Sequence, residues 1–177
     1  DEIGSIGVVS FTQSGGIVGE RDVERVLKDS ETRASPKLAN RTPIHTIPLE
    51  YRVDGNKVFG KPQGMQGTKL SVDTLLITIL TQHHDDLIEA VEAAGVEVEG
   101  VMASPLSASL VSLSKAQKTA GVVLANIGSE TLSIVVFDND VPVSVKVYPK
   151  GSGDITNTIA LQFQIPLTEA EQMKRGA

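Results

Sequence analysis

Apolar positions follow two rhythms along the chain, and each change of rhythm marks an element. Residues 6–11 are a β-branched run closing on Ser14-Gly15-Gly16, which predicts a strand and a turn. Over residues 20–30, Val23, Val26 and Leu27 fall at helical spacing behind acids in the first turn. Residues 32–41 are polar and read as a mobile loop. Ile47, Leu49, Tyr51 and Val53 then alternate with Glu50, Arg52 and Asp54, the pattern of a half-buried strand, and Asp54-Gly55-Asn56 turns the chain. Pro43 and Pro48 cannot donate to a ladder, so this strand is expected at an edge, at least in its first half. Residues 61–67 make a compact Gly/Pro loop. A second long strand over 70–80 is apolar on both faces from Leu75 onward. Thr81 then opens a helix carrying Leu87, Ile88, Val91 and Ala94 on one face, closed by Gly95.

Past Gly95 the order changes. Residues 96–103 predict a strand, and Pro105 starts a helix with Leu106, Leu110 and Leu113 inward. Strands follow over 122–127, 132–137 and 141–148, then a helix over 154–163, Pro166 and a last charged helix over 168–175. The first half is thus a small α+β unit, strand–helix–strand–strand–helix, and the second half is α/β, with the boundary near 96–104. Thr168 to Arg175 is charged nearly all round, as expected of a solvated surface helix.

Composition narrows the classes. The 177 residues are 40% apolar and 21% charged, which suits a globular chain and excludes a disordered tail. Aromatics are only 3%, so the core is aliphatic. A net charge of −6 with no basic stripe argues against duplex binding. The absence of cysteine removes disulfides, thiol nucleophiles and cysteine zinc sites. No signal peptide or membrane-spanning run occurs. Asp1 to Gly4 offers neither an initiator Met nor a helix start, and the chain stops within a helical pattern, so we expect a piece of a longer protein.

Candidate chemistry concentrates in two glycine turns. The turn Gly128-Ser129-Glu130-Thr131 between two strands can aim backbone N–H groups at a phosphate. Gly151-Ser152-Gly153-Asp154 precedes a helix whose N-terminus offers free N–H groups and the positive dipole end. From spacing alone, an ordinary hairpin and an ordinary helix start fit as well. His83-His84-Asp85-Asp86 invites a metal, but neighbouring helix positions diverge by about 100° and cannot converge on one ion, so a polar first turn is the expectation. His45 stands alone, with no triad or zinc partner around it. No catalytic residue and no metal ligand is assigned.

Four stretches taken together resemble the bacterial cell-division FtsA family of actin-like proteins. They are residues 44–70, with Ile-His-Thr-Ile-Pro-Leu-Glu-Tyr-Arg-Val-Asp-Gly and the Lys-Pro-Gln-Gly-Met-Gln-Gly loop, residues 87–104, the hairpin around Gly128, and residues 151–174. The Pro-x-Gly-Met-x-Gly loop is the most specific of these. The resemblance implies that residues 5–95 are the family's interaction subdomain 1C (SHS2 type), a three-stranded sheet with two helices. Residues 96–177 would be part of an actin-like, ribonuclease H-like subdomain 2A, one wall of a nucleotide cleft. It further implies a division scaffold with self-association through 1C, contacts with FtsZ and later division proteins, and a cytoplasmic, peripheral-membrane location through a C-terminal helix outside these residues. ATP and Mg²⁺ would belong to the whole protein, with Gly128, Ser129, Thr131, Gly151 and Gly153 as the candidate contacts. The alternatives are a working nucleotide hydrolase of the actin/Hsp70 superfamily, or a pilus-assembly adaptor of the PilM type.

The hairpin departs from the family's Asp-Ile-Gly-Gly-Gly-Thr-Thr-Asp pattern. Asn126 stands for the first acid, Ser129 and Glu130 for two glycines, and Leu132 and Ser133 for the last pair. Side chains at 129 and 130 put a Cβ where a phosphate would approach. Glu130 adds a negative charge that would repel a polyanion about 4 Å away by roughly 1–4 kcal/mol. Hydrolysis is therefore expected to be weak or absent.

Overall fold

The computed structural model describes residues 4–176; the reading of the first three residues lies outside them. The first half is a four-stranded antiparallel sheet in the order β1-β4-β2-β3, from β1 (Gly4–Ile17), β2 (Arg41–Val53), β3 (Asn56–Val58) and β4 (Gln66–Leu80). This corrects the expected three strands. Asp54 and Gly55 both take positive φ, +50° and +86°, as a two-residue hairpin turn with the right-handed twist of its strands requires. Asn56 therefore begins a short return strand instead of ending the turn. The two prolines of β2 lie beside breaks in register, between Pro43 and His45 and between Pro48 and Glu50. Among the described residues, β3 pairs only with Tyr51, Arg52 and Val53 and no other strand pairs with that edge of β2, so it is open over residues 41–50, as its prolines predict.

Strand β4 is the spine of the molecule. On one face Leu70, Val72 and Leu76 are covered by helix α1 (Glu20–Ala34), through Val23, Val26 and Ala34. On the other face Leu75 and Ile77 enter a second cluster with Ala103, Val135, Phe137 and Val145. That cluster joins the first sheet to a three-stranded antiparallel one, β5 (Val122–Ile127), β6 (Leu132–Asp138) and β7 (Val141–Tyr148). The two sheets pack face to face, with Ile44, Ile47 and Leu49 of β2 at their boundary.

Helix α2 (Thr81–Glu92) does not cover the first sheet, contrary to expectation. It has no buried residue, and Leu87 and Val91 on its apolar side are 54% and 41% exposed. The face it was expected to cover is occupied by the second sheet. Residues 96–103 form no strand, contrary to expectation, and at their end the Ala103 amide bonds the His45 ring instead of a neighbouring backbone. Nor are residues 32–41 a mobile loop: α1 runs on to Ala34, a single 3₁₀ turn spans Ser35–Lys37, and Ala34 and Leu38 are buried against Leu76. Helix α3 (Ser104–Ser112) buries Pro105 and Ser109, while Leu110, expected inward, is 64% exposed. A short helix α4 (Lys115–Ala120) leads to β5, and α5 (Ser152–Phe163) and α6 (Leu167–Arg175) complete the chain.

The loop of residues 60–67 is held by backbone bonds: Val18 donates to the Met65 carbonyl at 2.9 Å and Gly64 to the Val18 carbonyl at 2.9 Å. The Asp54 carboxylate receives the amides of Lys69 and Thr68, at 2.8 and 3.0 Å, and the Thr68 hydroxyl. These bonds, the Lys69 amide foremost, hold Asp54 below the usual carboxylate range. A Cβ at Gly67 would lie 2.2 Å from Val53 Cγ1, so only glycine fits there.

The face assignment predicts unequal costs for two apolar truncations. Ile77→Ala should lose about 2–5 kcal/mol, as for a fully buried side chain, and Leu87→Ala less than about 0.5 kcal/mol. Urea denaturation of both variants checks this, and equal losses would contradict the packing.

Candidate functional site

Tertiary structure brings together two turns that lie more than twenty residues apart in sequence. Ile127 pairs with Leu132, leaving residues 128–131 as a loop closed by Gly128 N–H donating to the Thr131 carbonyl at 2.8 Å. Against it lies the start of α5. Ser152 N–H donates to the Gly128 carbonyl at 2.9 Å and Gly153 N–H to the Ser129 carbonyl at 2.8 Å. The Gly151 amide is held by the Asp154 carboxylate at 2.9 Å, as Gly19 is held by Asp22 at the start of α1. The glycines are demanded by proximity. A Cβ on Gly151 would stand 2.3 Å from the Ser129 carbonyl oxygen, and one on Gly153 would stand 2.9 Å from it. Backbone cannot yield to such contacts as a flexible side chain can.

All five sequence-predicted positions therefore lie at one junction, but in different roles. Gly128 and Ser129 lend carbonyls, Thr131 closes the loop, and Gly151 and Gly153 admit the close approach. The consequence for anion binding differs from the simple expectation. Two amides at the N-terminus of α5 are already used by the hairpin. Among the described residues, the amides of Ser129 and Glu130 make no hydrogen bond. Asn126 and Ser133, which replace the family pattern's two acids, face each other across β5 and β6.

Ser129 and Gly153 border an open groove of ≈ 660 Å³, together with Glu130, Asn157, Glu171 and Arg175. Its floor is a polar knot between α5 and α6. Lys174 Nζ donates to the Ser152 carbonyl at 3.2 Å and to Thr156 Oγ1 at 2.9 Å, and pairs with Glu171 at 2.6 Å. Thr156 donates to Glu171 Oε2 at 2.5 Å, and Arg175 Nε to Glu171 Oε1 at 2.8 Å. Lys174 foremost, then Thr156 and Arg175, lower the Glu171 carboxyl to about 2. The last helix is thus not merely solvated: Ala170 is fully buried against α5, and its charged residues build one wall of the groove. The i,i+3 and i,i+4 spacing of Glu171 with Lys174 and Arg175 was the available signal. Its partner Thr156 is separated by a turn and could not be paired with it from sequence.

The remaining candidates sit elsewhere. His84 Nδ1 lies 3.0 Å from Asp85 Oδ1 on α2. Among the described residues, no group of three or more His, Asp or Glu side chains could hold a metal ion. No helix of the described residues is long and apolar enough to cross a membrane.

Two outcomes follow from this geometry. Gly151→Ala must force the hairpin away from α5, at about 1–3 kcal/mol of stability, seen as a lower urea midpoint. Glu171 has a carboxyl whose folded value is depressed, so its contribution is present above the ordinary glutamate range and is lost as pH falls toward 2. In Glu171→Gln, the acid limb of the melting-temperature profile between about pH 4.5 and 2 should flatten relative to the parent. An unaltered acid limb would mean that the knot does not form.

Comparison with known proteins agrees along nearly the whole chain. A family model described as the SHS2 domain inserted in FtsA matches residues 3–78, and one described as cell division protein FtsA matches residues 123–177. The cell division protein FtsA of Bacillus subtilis is 32% identical over 96% of this chain and 38% of its own length. That of Borreliella burgdorferi is 31% identical over 96% and 41%, and that of Escherichia coli (strain K12) 28% over 96% and 39%. The chain thus spans about two fifths of the length of these relatives. In fold it is similar to a chain of a PilM–PilN type IV pilus biogenesis complex, with a TM-score of 0.62 at 20% identity over 97% of this chain and 47% of the other. With both family models and these relatives in agreement, the chain is similar to the FtsA family of cell-division proteins in both of its matched stretches, residues 3–78 and 123–177.

Proposed function

We propose that this chain is the docking portion of an FtsA-type division scaffold, not an enzyme. Residues 5–95 act as subdomain 1C and residues 96–177 as the beginning of subdomain 2A. The first joins neighbouring copies into filaments and recruits later division proteins. Linkage to FtsZ and peripheral attachment to the inner face of the membrane belong to the whole protein. The observation that carries this reading is a set of apolar side chains presented on a fixed frame. Phe59 is 90% exposed, Ile17 61% and Met65 41%, beside a loop whose backbone is bonded to Val18. The open edge of β2 adds backbone groups that a partner strand can pair. Residues this apolar, held this rigidly and left in water, suit a surface that another protein covers.

The fate of nucleotide belongs to the same proposal. The groove beside Ser129 and Glu130 has the size of a ligand site. The Glu130 carboxylate on its wall and the α5 amides already used by the hairpin both weaken phosphate binding. We therefore assign weak or absent hydrolysis to the whole protein. Steady turnover in a titration of the full-length protein with a magnesium nucleotide would refute that assignment. A pilus-assembly adaptor is the second reading, supported by likeness of fold; identity near 30% to division proteins weighs against it.

Single substitutions on the exposed patch test the docking role. Met65→Asp and Phe59→Asp in the full-length protein should raise the concentration needed for filament assembly roughly tenfold or more, the loss of one buried apolar side chain per contact. Thermal melting should stay within a few degrees of the parent, because neither side chain is buried. Sedimentation of filaments measures the effect. Unchanged assembly by both variants would exclude the patch as the contact.

A further inference from the structure

One polar contact crosses from the first sheet to the start of the second unit and has no part in the docking patch or the groove. Ala103 N–H donates to His45 Nε2 at 3.0 Å, across 58 residues of sequence. Both ends are built for the contact. His45 follows the register break after Pro43, and its neighbours Ile44 and Ile47 pack in the layer between the two sheets. Ala103 is 2% exposed in the same layer, and its carbonyl accepts the first amides of α3, from Leu106 and Ser107, at 3.0 and 3.1 Å. An N–H this deeply placed needs an acceptor, and an imidazole nitrogen accepts only when it carries no proton.

We infer that His45 is a latch: through an unprotonated Nε2 it pins the first sheet to the start of α3, and a proton on that nitrogen opens the joint. With both ring nitrogens protonated, two N–H groups would point at each other and the Ala103 amide would lose its partner in an apolar layer. The direction of the ring's titration agrees, since burial lowers it below the ordinary histidine value. Charged groups on the elements packed against β2 do not supply that shift. Glu31 of α1 is bound to Thr46 and Asp73 of β4 to Arg52, while α3 carries no charge. Lys57 of β3, Lys69 of β4, the other charged residues of α1, Lys146 of β7, Glu97 and Glu99 before Ala103, and the first turn of α2 with His83, His84, Asp85 and Asp86 also lie on or beside these elements. Burial alone is the cause. Because the folded value is lowered, the latch is closed above the ordinary histidine value and opens as pH falls below it.

The position of the latch gives it a consequence. Helix α3 packs on β5 and β6, the two strands that end in the hairpin of Gly128, while β2 offers the open edge. Resting on the proposed docking role, the latch thus ties the helix that packs on the hairpin's strands to the strand that offers the docking edge.

Amide hydrogen exchange of the 177-residue chain, read by NMR, tests this. The protection factor of Ala103 should fall by roughly tenfold or more between about pH 8 and pH 5.5, on either side of the ordinary histidine value. His45→Phe, which keeps a ring but no acceptor, should show the low protection at both pH values. His45→Gln, whose amide oxygen can accept, should keep the high protection at both. Wild-type protection that stays flat with pH, or His45→Phe as protected as the parent, overturns the latch. If His45→Phe does not fold, the ring nitrogen shifts of the parent near pH 8 decide: an unprotonated Nε2 upholds the assignment and a protonated Nε2 overturns it.

Discussion

Burial of strand β4 on both faces is the constraint from which the rest of the architecture follows. Leu70, Val72 and Leu76 on one side require α1, and Leu75 and Ile77 on the other require a second apolar layer. A sheet with one solvated face would have left the two halves independent. Here the central strand is shared, so the two sheets are coupled through one slab of aliphatic side chains. On the face of β4 that carries Leu75 and Ile77, Ser71 and Asp73 precede the apolar run. There Asp73 pairs with Arg52 at 3.1 Å, and Arg52 also pairs with Glu50.

With the centre spent on joining the halves, recognition is left to the margins. The loop of residues 60–67 bonds its backbone to Val18 through Gly64 and Met65 and displays Met65, with the exposed Phe59 just before it. At the opposite end of the molecule, the hairpin and α5 do the reverse. Their backbones interlock through glycine, their amides are partly consumed, and Glu130 stands on the wall of the groove. The proposed preference for protein contacts over phosphate chemistry accords with that balance, and so does similarity to a cell-division family.

Local chemistry was legible wherever one stretch of chain decides its own conformation. The alternation from Ile47 to Val53, the proline-marked edge of β2, the β-hairpins and the Pro-Gln-Gly-Met loop could all be read directly. So could the glycines at 128, 151 and 153 as special positions. Errors arose where a partner decides. Residues 96–103 have strand composition but join no ladder, and α2 has an apolar stripe whose expected surface the second sheet occupies. Ala34 and Leu38 read as loop residues from sequence because their shared neighbour, Leu76, lies far along the chain.

Sequence by itself settled most of the helices, strands and turns, though not residues 32–41, 56–58 and 96–103, because periodicity, proline and glycine act within a few residues, and its motifs pointed to the FtsA family. Only the tertiary structure decided that Gly151 must be glycine because of Ser129, that Thr156, Glu171 and Lys174 form one knot, and that His45 meets Ala103. Each of these is a contact between residues fifteen to fifty-eight positions apart. Such meetings depend on how the sheets stack, and stacking depends on the summed burial of the whole chain rather than on any one stretch of it.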